Sequence, residues 1–205
     1  LALARMSLLE QFRFVDPGVL ADRELELVTP AERWVDALMG TLAHPLTKER
    51  APQDAGITRE QVIQFVREHP LGRQPGDAEK GLVPAYYFWM RVRDAFEPAL
   101  SIVGGIGLRV GHTRNLEMYM GHIGYTVHPP ARGHGYARRA VRLLLPLARR
   151  LGISPLWITC NPENIASRRT CESAGGRLIE IVDLPEDHPA YARGERRKCR
   201  YRFDL

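Results

Sequence analysis

Apolar and polar residues alternate with two different periods along this chain, and each change of period marks an element. Arg23 to Val28 alternates at every second residue, as a half-buried strand does. Thr29-Pro30-Ala31-Glu32 then opens a helix to about Ala43, with a capping hydroxyl, proline at the first position and an acid in the first turn. Pro45 to Ile57 reads as loop. Thr58-Arg59-Glu60-Gln61 is a capping box, and the helix behind it, to about His69, carries Val62, Ile63, Phe65 and Val66 as one stripe. Pro70 to Lys80 is polar and contains Gly72, Pro75 and Gly76. It is either a loop beside a binding pocket or a surface loop.

Tyr86 to Val92 is rich in β-forming residues, and Leu100 to Val110 is a second strand. Gly104, Gly105 and Gly107 lie inside the second strand. A dinucleotide fingerprint would need glycine where Val110 stands and a strand-to-helix turn, so these glycines mark a close-packed or bulged strand. His112 to Met120 is loop. His122 to Val127 alternates again, and Pro129 and Pro130 stop it. A helix follows with Ala137, Ala140, Val141, Leu144, Ala148 and Leu151 on one face, and Pro146 is expected to kink or loosen its last turn. Leu156 to Cys160 is a strand, and Asn161-Pro162-Glu163 opens a helix ending at Gly175-Gly176. Arg177 to Val182 and Arg196 to Phe203 complete the set. The order predicts an α/β layer fold with a mixed sheet.

The stretch Arg132-Gly133-His134-Gly135-Tyr136-Ala137 is where chemistry enters. Small residues at a helix start bare several backbone N–H groups at the positive end of the dipole, a good place for phosphate, and Arg132 adds a fixed cation. The net charge of +5 agrees with a phosphate-rich ligand and equally with an arginine-rich surface. The arginines are not interleaved with aromatics, so nucleic acid is not favoured. Cys160, Cys171 and Cys199 lack metal-ligand spacing and suit a reducing, cytoplasmic setting. His122, His128 and His134 recur every six residues but fall in a strand, a turn and a helix start, so no metal is expected. LALARMSLLE is too short and too interrupted to span a membrane or act as a signal peptide, and no membrane association is expected. Residues 1–22 are read as an extension, with Met6 a candidate natural start and added residues before it.

Arg132-x-x-Gly135-x-Ala137 after a strand resembles the acyl-CoA pyrophosphate loop of the GNAT superfamily of N-acetyltransferases. The downstream LWITCNPENIASRRTCESAGGRLI is similar to that family's next strand-helix unit. The longer words GHIGYTVHPPARGHGYA and ITCNPENIASRRTCESAGG resemble a bacterial subgroup labelled only "predicted acetyltransferase". The close resemblance covers about Ile102 to Phe203, and upstream it rests on element order. It implies one GNAT-like α/β domain over residues 23–205, with a mixed, mostly antiparallel central sheet of about seven strands flanked by about four helices.

The resemblance also implies a function: transfer of acetyl from acetyl-CoA to a primary amine, by direct attack in a ternary complex and without a metal. The pyrophosphate would meet Arg132, Gly133, His134, Gly135, Tyr136 and Ala137. The pantetheine arm would run along Tyr125, Thr126 and Val127, with the Val127 N–H on the thioester carbonyl. Asn164 matches the family's asparagine and would either touch the cofactor arm or cap its helix; Ser167 follows it. The family's proton-donating tyrosine is replaced by Cys171, which is either a weak acid or a buried structural thiol, and Ser167 or a water could serve instead. His122 is the candidate base, or else a histidine bonded within the sheet; Glu117 is the second choice. The acceptor is a small amine, an amino acid or a peptide, and a homodimer is open. The alternative is a non-catalytic acetyl-CoA-binding regulatory module.

Overall fold

The computed structural model describes residues 12–77 and 80–205. The elements run β1 (Leu25–Val28), α1 (Val35–Ala43), α2 (Pro45–Arg50), α3 (Pro52–Ala55), α4 (Arg59–Glu68), β2 (Arg73–Gln74), β3 (Ala85–Val92) and β4 (Ile102–Arg109). Then come β5 (Ile123–Val127), α5 (Tyr136–Arg150), β6 (Leu156–Cys160), α6 (Ile165–Ala174), β7 (Arg177–Asp183), α7 (Pro189–Ala192) and β8 (Arg197–Phe203). Among the described residues every strand ladder is antiparallel, and the strands form two sheets. One has the order β1-β3-β4-β5, with β2 pairing to β3; the other has the order β6-β8-β7.

The expected mixed sheet is therefore divided between β5 and β6, an edge of each sheet. The two strands are clasped at their start. His122 N–H donates to Trp157 O (2.6 Å), and Trp157 N–H donates back to His122 Nδ1 (2.9 Å). Beyond that point no backbone hydrogen bond joins β5 to β6 among the described residues.

The first sheet is covered on both faces. On one, Ala140, Val141, Leu144 and Leu147 of α5 pack against Tyr86, Phe88 and Met90 of β3 and Ile106 and Leu108 of β4. Each large side chain buried this way contributes roughly 1.5–3 kcal/mol. On the other, Leu38 and Leu42 of α1 and Val62 of α4 pack around Trp89.

Several local expectations change. Pro45 and Pro52, read as loop residues, are first-turn residues of α2 and α3, where the missing N–H costs nothing. Thr29 does not cap a helix; the chain enters α1 through a 3-10 turn at Glu32–Trp34 with no side-chain cap. Asn161 does not cap α6. Its side chain takes Lys198 Nζ (2.8 Å), and Asn164 is the cap. α5 runs unbroken through Pro146. The extension expected outside the domain begins among residues that lie outside the description. Its described part packs on the core: Val15 N–H donates to Tyr86 Oη (2.9 Å), and Phe14 meets the Tyr86 ring at 5.1 Å. The Thr58 capping box and the left-handed Gly175 (φ 108°) stand where the sequence indicates.

Candidate active site

After β5 the chain turns through Pro129–Ala131 and enters α5 at a glycine. Gly133 (φ 89°) and Gly135 (φ 74°) take the left-handed conformation that side chains resist. Gly135 offers no side-chain cap and no acid stands in the first turn, so the first N–H groups of α5 stay open to an anion. Arg132, Arg138 and Arg169 line the same hollow of about 560 Å³, with His134 and Ala137. Arg132 is anchored by Nε–H to Val127 O (3.0 Å). The Tyr136 hydroxyl is engaged by Glu24 (2.9 Å), so this residue offers the hollow its backbone and not its phenol.

A cavity of about 410 Å³ continues from there between β5 and α6, sharing Val127, Arg132 and Ala137 with the hollow. His128 N–H donates to Val103 O (2.9 Å). By the alternation of an antiparallel ladder, the N–H groups of Val127 and Tyr125 then face the gap. On the opposite wall Asn164 caps α6, its Oδ1 accepting from Ser167 N–H (3.0 Å). The Tyr125 side chain crosses between the walls, with Oη 2.8 Å from Ser167 Oγ and 3.8 Å from Cys171 Sγ. Burial pushes the phenol pKa far up, so the hydroxyl keeps its proton.

On the other face of β4 and β5, Gly105, Gly107 and Gly124 lie together, with the Tyr87 ring beside Gly107 and Arg109 beside Gly124; Gly107 is the register partner of Gly124. A Cβ at Gly105 would make only ordinary contacts, the nearest with Phe88 O at 3.7 Å. Two cavities of about 450 and 360 Å³ occupy this face, walled by Phe65 and Trp89. Both reach Thr126, which also lines the gap on the α6 side. His128 lines the larger, with Nδ1 3.3 Å from Asp54 Oδ2 and no protein partner at Nε2 among the described residues. Burial lowers the His128 pKa against the pull of Asp54. The ring is neutral at pH 7, with a proton toward Asp54 and a lone pair open at Nε2.

His122 lies outside this arrangement. It is fully buried, and Trp157 N–H donates to its Nδ1, so Nε2 carries the proton and donates to Gly111 O (3.0 Å). Both nitrogens are committed and burial lowers the pKa, so this geometry does not offer His122 as a base. Glu117 sits in a π-helical turn, Leu116–Met120, paired with His112 (3.0 Å), and lines neither the gap nor the glycine face. His112, Glu117 and His122 bring ligand atoms within 4.8 Å of one another, but His122 has no free lone pair to give.

Residues 25–177 match the family model for the acetyltransferase (GNAT) domain. The chain belongs to the GNAT acetyltransferase family. Solved structures of this family share its fold. The microcin self-immunity acetyltransferase MccE, in complex with acetyl-CoA and AMP, is 16% identical at TM-score 0.63, over 90% of this chain and 94% of that one. RimL, a ribosomal alpha-N-protein acetyltransferase in complex with coenzyme A, is 18% identical at TM-score 0.61, over 91% and 98%. A GNAT-family acetyltransferase from Bacillus anthracis is 17% identical at TM-score 0.60, over 91% and 98%. No curated protein matches the sequence.

In this GNAT domain Cys171 occupies the position where the resemblance places a tyrosine. The adjoining Cys160 thiol and burial push its pKa far up, so it stays protonated, and a thiol is a weak donor. The phenol of Tyr125 reaches the same neighbourhood from the opposite wall. The sequence reading missed the Asp54–His128 pair, whose members are 74 residues apart. It also missed Arg138 and Arg169 in the hollow, and Arg109 beside Gly124. A signal for Arg109 was present: it follows Gly105 and Gly107 at the period of two, and so shares their face.

Proposed function

We propose that this GNAT domain transfers an acetyl group from acetyl-CoA to a primary amine by direct attack in a ternary complex. The observation that carries the reading is a run of adjoining cavities with shared walls. It starts at the arginine-lined entrance to α5, follows the unpaired edge of β5, and opens at Thr126 into the cavities over the glycines. Acetyl-CoA is the substrate such a groove fits. Arg132, Arg138, Arg169 and the first N–H groups of α5 would hold its phosphates, and the β5 edge would pair with its pantetheine arm.

In transfer, the amine nitrogen forms a bond to the thioester carbon while the C–S bond breaks, and sulfur keeps the electron pair. The Val127 N–H would stabilise the charge developing on the carbonyl oxygen. His128, with Nε2 open and Asp54 behind it, would take the amine's proton. Tyr125 would donate a hydrogen bond to the departing sulfur, a role the weaker Cys171 thiol is poorly suited to. Ser167 supports the Tyr125 hydroxyl. A homodimer through the edge strand β7, where Leu178, Ile179 and Ile181 are exposed, is the matching assembly, and light scattering at assay concentration tests it.

The decisive experiment is calorimetric titration of acetyl-CoA into the wild-type protein and Arg132→Glu, with CoA release then followed over a panel of amines. Binding that the variant weakens at least tenfold, together with release that requires an amine, is the expected result. Binding without turnover of any amine would make the protein a regulatory acetyl-CoA-binding module. No binding at all would remove the groove as a cofactor site.

A further inference from the structure

We propose that the acceptor carries an anionic group close to its amine, and that Arg109 binds this group. The inference rests on the transferase reading for the amine, and on the smaller cavity over the glycines for the anion.

Arg109 ends β4 on the face that bears Gly105 and Gly107. Its side chain lies over β5, where a Cβ at Gly124 would stand 3.4 Å from Nη1. Glycine at 124 therefore makes room for the guanidinium. The fork lines the cavity of about 360 Å³ beside Tyr125 and Thr126, where the cofactor side of the groove begins. Phe65, Tyr87 and Trp89 form the remaining walls.

One hydrogen bond ties Arg109 to the protein, from Nη1 to Gly121 O (3.1 Å). The other N–H groups have no acceptor, and no carboxylate pairs with this residue, among the described residues. Three other arginines that are buried or part-buried are matched, Arg91 with Glu26, Arg139 with Asp22 and Glu24, and Arg200 with Glu180, whereas Arg73 lies over the Phe14 ring and Arg168 bonds to Tyr201 Oη and Pro162 O, away from this cavity. The ionisable neighbour of Arg109 is Tyr87, a neutral phenol whose hydroxyl donates to Gln74 (2.6 Å). Burial lowers the Arg109 pKa, yet a guanidinium stays charged at any ordinary pH. A half-buried cation without a counter-charge, with N–H groups facing a cavity, favours an anion that enters there. A carboxylate or phosphate on the acceptor would supply that charge and two parallel acceptors for the fork. The aromatic walls would take the acceptor's apolar part. An α-amino acid, an acidic peptide terminus and an aminoalkyl phosphate all present this chemistry.

Matched pairs test the proposal with the intact protein and acetyl-CoA. Leucine is compared with leucinamide, phosphoethanolamine with ethanolamine, and a peptide beginning with aspartate with its asparagine counterpart; the pairs separate carboxylate from phosphate and free from peptide-borne anions. CoA release should favour the anionic member of at least one pair by roughly 10- to 100-fold in kcat/KM, the range of a charged hydrogen bond. Arg109→Gln should erase the preference and Arg109→Lys retain part of it. Neutral members turned over equally well by the wild type, or a preference surviving in Arg109→Gln, would overturn the proposal. The wild-type comparison holds even if a variant folds poorly. If no amine is acetylated while acetyl-CoA binds, the transferase reading fails and calorimetry with the same pairs and CoA decides the anion site. Arg109-dependent binding of an anionic member would sustain it, and no such binding would end it.

Discussion

At the scale of single residues, two histidines six positions apart are held in opposite ways. His122 is locked neutral by a backbone donor on one nitrogen and a backbone acceptor on the other, while His128 keeps a nitrogen open to a cavity. No local pattern in the sequence separates them, because their partners lie 35 and 74 residues away. Tyr125 and His128 should therefore govern chemistry without governing cofactor affinity. Tyr125→Phe and His128→Gln are each expected to lower kcat by about 10- to 1000-fold while the Kd for acetyl-CoA moves less than about twofold. Unchanged kcat in either variant would remove that residue from the mechanism. His122 instead affects stability. Unfolded, both histidines take protons near the ordinary value of 6.5; folded, burial makes them take protons only at lower pH. The unfolded state thus binds more protons in that window, so stability is full above about 6.5 and declines as pH falls below it. A Tm that drops between pH 7 and 5 agrees with this, and a Tm that is flat or rises there does not.

At the scale of elements, the groove is made by what two strands lack. β5 and β6 lack a ladder between them, and β4 and β5 place glycines at 105, 107 and 124 beneath the second pair of cavities. Gly105→Val tests the latter. A Cβ at this position meets only ordinary contacts, at 3.7 Å and beyond, and valine suits a strand. The variant is expected to fold and to bind acetyl-CoA as before, while the acceptor KM rises by roughly tenfold or more. An unaltered KM would move the acceptor off the glycine face. The strands themselves and the start of α5 were legible, because alternation and glycine at a helix entrance are local signals. The starts of α2, α3 and α6 were not. Proline is equally at home in a loop and in a first helical turn, and two asparagines compete for one cap, with Lys198 from β8 drawing Asn161 away.

At the scale of the whole molecule, the sequence order indicated the layers but not their division. Seven longer strands in alternation with helices suit a single sheet; the separation at β5 and β6 depends on how far each strand's edge is satisfied, which is a non-local matter. Arg109 is non-local in the same way, because its lack of a carboxylate partner emerges only when the sheet places it beside Gly124. The clasp between the halves has a kinetic corollary. His122 N–H and Trp157 N–H are bonded at the join, whereas the N–H groups of Tyr125 and Val127 face the gap between β5 and α6. In deuterated buffer the first two should retain hydrogen long after the second two have lost it. Addition of acetyl-CoA should slow the loss at Tyr125 and Val127 and leave the clasp as it was. A peptide-resolved exchange map would then trace the path of the bound molecule along β5, one amide at a time, without any acceptor being known.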